Sequence, residues 1–165
     1  MIRQIIPQAV CLDCRMCCRF NQIDSVWAPH LLAAEIEILK NKEDLPEFLI
    51  SSKKTIIPVP APSQECYLCP FLEEKSNRCK IYALRPFECQ LYPFLINLRE
   101  KKITLSLDLR CPYIKENLSS PAVKEYIDYL CAFFSAHKIF LDNPQLIQEY
   151  AEVKEICLLD SVDGS

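Results

Sequence analysis

Cys11-Leu-Asp-Cys14-Arg-Met-Cys17-Cys18 packs four cysteines into eight residues, and Cys66, Cys69, Cys79, Cys89 and Cys111 follow before residue 112. Soft sulfur ligands at such short spacing point to a bound metal ion or cluster. Cys11, Cys14 and Cys17 recur every third residue, as in the C-x2-C-x2-C run that supplies three ligands in bacterial ferredoxins. Zinc sites more often use isolated C-x2-C pairs, so the spacing favours an iron–sulfur cluster, [4Fe–4S] in type, over zinc. Cys17 and Cys18 are neighbours, and neighbours in extended chain face opposite sides, which suits two sites better than one. Cys69 and Cys111 each precede a proline, a residue that turns the chain away after a ligand at a loop edge. Cys11, Cys14, Cys17, Cys18, Cys69, Cys79, Cys89 and Cys111 give the sulfurs of two four-thiolate sites, with Cys66 as spare or substitute.

Four thiolates around a divalent ion leave a net charge of about -2, costly to sequester without compensation. Arg15, Arg19, Arg78, Lys80, Arg85 and Arg110 lie beside these cysteines in sequence and are expected to supply it. Cys131 and Cys157 fall on apolar helical positions and read as small buried hydrophobes. His30 and His137 read as core or helix-surface residues rather than ligands.

The elements that must hold these thiols are short. Apolar spacing predicts a helix from Pro29 to Asn41 and a second short helix from Pro46. Residues 54–62 are extended and proline-rich, suited to a sheet edge. Cys79 to Tyr82 forms a short strand or turn, and Leu84 to Leu91 a helical turn. The alternation of Ile103, Leu105, Leu107 and Leu109 with polar partners predicts a hairpin over residues 94–109. Ser120-Pro121 and Asn143-Pro144 read as two helix starts, giving a C-terminal helical hairpin. The expected fold is α+β: a small irregular cysteine-rich domain over residues 1–118, with the helical pair over 119–165 packed on it. The chain's single glycine is Gly164, so turns that need positive φ must use Asn or other residues; Asn77 is suited to that role.

At 165 residues, half of them hydrophobic, the chain can bury an ordinary core. A net charge of -3 argues against nucleic acid as a partner. No apolar stretch approaches the roughly 20 residues of a membrane span, and the N-terminus is not that of a signal peptide. Cytoplasmic residence is the default, where clustered thiols serve metals more often than disulfides. A protein partner is left unidentified.

The ordered combination Cys11-x2-Cys14-x2-Cys17-Cys18-Arg19, Cys69-Pro-Phe-Leu and Cys79-x-Ile81-Tyr82-x2-Arg85-Pro86-x2-Cys89-x2-Tyr92-Pro93 resembles the YkgJ-type cysteine-cluster family, the CxxCxxCC zinc- or iron-chelating domain. The resemblance covers residues 10–112. It implies metal ligation by these cysteines, with Tyr82 and Arg85 shaping the cofactor site. Arg15, Asn77-Arg78 and Tyr113 stand where members often carry glycine. Flagellin lysine N-methylases have a similar cluster, so the resemblance is compatible with a protein-modifying enzyme. A zinc-stabilised interaction module is the other alternative. The chain has no glycine-rich nucleotide loop and no C-x3-C-x2-C run of radical S-adenosylmethionine enzymes.

Overall fold

The computed structural model describes residues 2–14, 16–42, 49–63 and 65–162; the helix expected from Pro46 lies outside them. Contacts divide the chain into two compact units, Met1–Ile2 with Pro7–Gln90, and Arg3–Ile6 with Leu91–Ser165. Helix and strand are mixed, and the fold class is α+β.

The first unit is built from short pieces. Helix α1 (Gln8–Cys14) is followed by β1 (Arg19–Phe20), α2 (Ala33–Lys42), β2 (Val59–Pro60), β3 (Tyr67–Leu68), β4 (Leu72–Glu73), β5 (Arg78–Cys79) and α3 (Phe87–Leu91). Strands β1, β3 and β2 form an antiparallel sheet in that order, and β4 pairs with β5. Pro60 falls on edge strand β2, where its missing N–H breaks no central ladder. Phe20, Leu31, Leu39, Ile56, Leu68, Phe71 and Ile81 form the apolar core.

Helix α2 starts at Ala33, later than the sequence pattern predicts. The backbone ahead of it is already engaged: Ile56 donates to the Pro29 carbonyl at 2.9 Å and Leu31 donates to the Lys54 carbonyl at 2.8 Å. The helix can begin only where the Leu32 N–H meets the Glu35 carboxylate, at 2.8 Å.

The second unit is more regular. Strands β6 (Phe94–Arg99) and β7 (Lys102–Leu107) form the expected hairpin, closed by Glu100 and Lys101, whose φ angles of 50° and 64° suit a tight two-residue turn. Helix α4 (Pro112–Asn117) and the longer α5 (Pro121–His137) follow. The Ser120 hydroxyl caps α5 by accepting from the Val123 N–H at 3.3 Å, with Pro121 in the first turn. Val123, Tyr126, Leu130 and Phe134 are buried along one face of α5.

The C-terminal helical pair is corrected. After α5 comes only the single turn α6 (Ile139–Asp142), a 3-10 turn at Pro144–Leu146, and then two strands, β8 (Ile147–Gln148) and β9 (Lys154–Ser161). The sheet order is β8-β6-β7-β9. Sequence spacing could not show that the hairpin has two open edges. Pairing of β9 with β7 satisfies the backbone where a second helix would have left that edge bare. Cys131 on α5 and Cys157 on β9 are also corrected, from free apolar residues to a disulfide.

Candidate metal centre

The sheet pairings of the first unit carry distant cysteines to one place. Arg19 pairs with Leu68, and the Cys69 N–H donates to the Cys18 carbonyl at 3.0 Å, which sets Cys69 beside the end of the N-terminal quartet. The Leu72 N–H then donates to the Cys69 carbonyl at 2.9 Å, and Leu72 pairs with Cys79. Cys89 sits on α3, whose Phe87 N–H donates to Glu35 at 2.6 Å. Glu35 thus bridges the heads of α2 and α3. Its own pKa is raised by burial, against the lowering effect of these two hydrogen bonds.

Asn77 supplies the other fastening. It adopts φ 54° in the turn between β4 and β5, the left-handed region that Asn tolerates. Its buried amide donates to the Cys11 carbonyl at 3.2 Å and to the Leu12 carbonyl at 2.6 Å, and accepts from Arg19 at 2.9 Å. One side chain therefore ties α1 to the strand that carries Cys79. Sequence reading found the φ and missed these tethers, since no spacing rule links residue 77 to residue 11.

The thiols act on one another. Burial pushes Cys69 up to about 12, and the charges of Cys79 and Cys17 add to that shift. Cys89 is raised well above the usual thiol value by burial, then by Cys69, Cys17 and Cys79. Cys79 is raised by burial and by Cys17, with Arg85 opposing. Every pair among Cys17, Cys69, Cys79 and Cys89 is thus within electrostatic reach. Unlike Cys69, Cys17 is exposed as a residue. Its hydrogen bond with Cys18 and its burial raise it well above the ordinary range, with Arg85 pulling the other way.

Cys11 and Cys14 stand apart from those four. Each is raised by burial first, and the thiol charges acting on them are those of Cys17 and, for Cys11, Cys14. The two subsets share Cys17 and together hold six of the expected cysteines, and Cys18 meets Cys17 through a side-chain hydrogen bond. Cys111 belongs to the second unit, buried at the head of α4. Cys66 packs against the edge of the first unit's core.

Arg85 is the cation of this centre. Its charge lowers Cys11, Cys17 and Cys79, and its guanidinium lies 4.2 Å from the Tyr82 ring centroid. In the second unit the Arg110 guanidinium chelates buried Asp108 at 2.9–3.1 Å, with the Tyr92 hydroxyl donating to the same carboxylate at 3.0 Å. Arg15 lies outside the described residues. His30 is buried against Glu88, its Nδ1 3.2 Å from the carboxylate, as a core histidine.

Sulfur donors with a compensating arginine suit a thiophilic metal in chemical type. Among the described residues, no group of three or more His, Cys, Asp or Glu side chains is arranged to hold an ion as it stands. Coordination therefore calls for the sulfurs to draw together.

Such a gathering of thiols defines a class, the cysteine-cluster chelating proteins. The profile of the CxxCxxCC family, described as a "Putative zinc- or iron-chelating domain", matches residues 10–160, and the chain belongs to that family. Metal chelation, by zinc or iron, is the property the family brings. The uncharacterized protein MJ0661 of Methanocaldococcus jannaschii is 44% identical over 41 residues, 25% of this chain. That segment spans 22% of the relative's length. No solved structure matches the chain. Among the described residues, no helix is long and apolar enough to cross a membrane.

Proposed function

We propose that this chain is a metal-binding protein whose principal centre is formed by Cys17, Cys69, Cys79 and Cys89. The observation that supports it most is that backbone pairing sets Cys69 beside Cys18 and Cys79 opposite Leu72, while the charges of Cys17, Cys69 and Cys79 all act on Cys89. Four thiolates suit a [4Fe–4S] cluster or a tetrahedral ion equally in number. An iron–sulfur cluster is the reading proposed. Arg85 offsets the negative charge and, with Tyr82, walls one side.

Zinc is the second reading, and one observation favours it. Cys11 and Cys14 lie on helix α1 while Cys17 follows it, and of these three only Cys17 acts on Cys69, Cys79 and Cys89. Ferredoxin-like use of all three would need them together. Anaerobic purification with elemental analysis separates the two. Brown protein whose visible absorption bleaches on reduction supports the cluster; colourless protein with stoichiometric zinc rejects it. Protein that holds neither metal when loaded overturns the whole proposal.

A further inference from the structure

Strand β9 has a weak footing in its sheet. It stands at one end of the order β8-β6-β7-β9, and none of its residues from Lys154 to Ser161 is buried. Its neighbour β7 buries every residue from Ile103 to Leu107. The ladder between the two is interrupted twice, between Ile103 and Thr104 and between Leu105 and Ser106. These breaks leave Leu159 and Ile156 outside the one-to-one pairing, and the Cys157–Leu105 pair lies between them. The ion pair of Lys138 with Asp160, at 3.0 Å, is exposed to solvent and holds little.

The strongest fastening of β9 is covalent. Cys157 is bonded to Cys131 of α5, a helix that buries Val123, Tyr126, Leu130 and Phe134. One bond thus ties a strand with no buried residue to a helix with four. Both cysteines are half-buried, which leaves the bond open to a small thiol. The other nine cysteines of the chain are thiols. A milieu that keeps nine thiols reduced also carries the small thiols that attack an accessible disulfide.

We propose that Cys131–Cys157 is a redox latch: closed, it fixes β9 on β7; reduced by glutathione, it frees β9 and uncovers the β7 edge. A glutathione thiolate attacks one sulfur of the bond, forming a mixed disulfide and releasing the other cysteine. A second glutathione attacks the mixed disulfide and leaves as glutathione disulfide. The protein bond gains two electrons, and the two protons lost by glutathione go to Cys131 and Cys157. Glutathione disulfide runs the sequence backwards and closes the latch. Neither cysteine belongs to the proposed metal centre, so the two readings stand or fall separately.

The test holds the full chain anaerobically, without denaturant, in glutathione buffers of increasing reduced fraction. Alkylation resolved by peptide mass spectrometry reads the state of Cys131 and Cys157, and hydrogen exchange reads β9, β6 and α5. Both cysteines are expected to become alkylated together as the reduced fraction rises. β9 amides should then exchange about thirtyfold faster or more, a larger change than in β6 or α5, and glutathione disulfide should restore them. Cys131→Ser should show the fast β9 exchange in every buffer. A bond that stays closed in excess reduced glutathione overturns the latch. So does equal acceleration in β9, β6 and α5, which would make the bond a staple of the whole unit. Unchanged β9 exchange on reduction, failure of glutathione disulfide to restore it, or a Cys131→Ser strand that still responds to the buffer overturns it as well.

Discussion

The two units of this chain are stabilised by different means. In the second, strands of six and eight residues and a seventeen-residue helix satisfy their own backbones, and one covalent bond joins helix to strand. In the first, no strand among the described residues exceeds two residues, and the cysteine-bearing turns depend on single side chains, Asn77 and Glu35 above all. Regular secondary structure can stand without a ligand. A set of short segments carrying closely spaced thiols has more to gain from one. The difference predicts that metal and fold are coupled in one half of the chain and separable in the other.

The largest expected effect follows from removing the metal. Binding to cysteine-rich sites is worth on the order of 10–16 kcal/mol near neutral pH, as much as a whole domain's stability of about 5–15 kcal/mol. Chelation should therefore strip hydrogen-exchange protection from β1, β3, β4, β5 and α3, while β6, β7 and α5 stay protected. Uniform loss or uniform retention would erase the contrast between the units.

Removing the disulfide should act in the opposite half. Cys131 and Cys157 are 26 residues apart in sequence, and a crosslink of that kind is typically worth about 2–4 kcal/mol. Cys131→Ala/Cys157→Ala should lower the second unit's stability by roughly that amount and leave metal content unchanged. Metal loss in this variant would show the halves to be coupled.

Asn77→Ala should cost the first unit about 2–3 kcal/mol, from three hydrogen bonds and a left-handed backbone angle that alanine resists. Asn77→Gly relieves the angle but not the lost bonds, so it should fall between. Thermal melts of the loaded proteins rank the three, and a glycine variant as stable as wild type would assign Asn77 no tethering role.

The smallest effect is a slope with pH. Burial raises the Cys69, Cys79 and Cys89 thiols above their ordinary value, so the metal-free sulfurs are protonated at neutral pH. Metal must displace those protons, and affinity must rise as pH rises. An increase of more than about tenfold per pH unit between roughly 6 and 8 is expected, reflecting more than one proton released. A flat profile by competition titration would mean that thiols are not the ligands.

The sequence announced the thiols but not their grouping. Cysteine type and spacing identified the quartet and the later partners, because ligand chemistry is local. The hairpin was legible for the same reason, since alternation at period two is a local signal. Which cysteines meet depends on registers such as Arg19 with Leu68 and Leu72 with Cys79, set by packing over some fifty residues in the first case. That is why even spacing makes Cys11, Cys14 and Cys17 look equivalent, while only Cys17 of the three acts on Cys69, Cys79 and Cys89. The C-terminal strand was misread because Ile156, Cys157 and Leu159 suit a helix or a strand, and only the open edge of β7 decides.

X-ray absorption on the metal-loaded protein tests the central claim most directly. The account predicts a first shell of sulfur alone at about 2.3 Å, diminished in Cys17→Ser and Cys69→Ser and intact in Cys157→Ser. A shell containing nitrogen or oxygen in the wild type, or one that Cys17→Ser and Cys69→Ser leave unchanged, would contradict it.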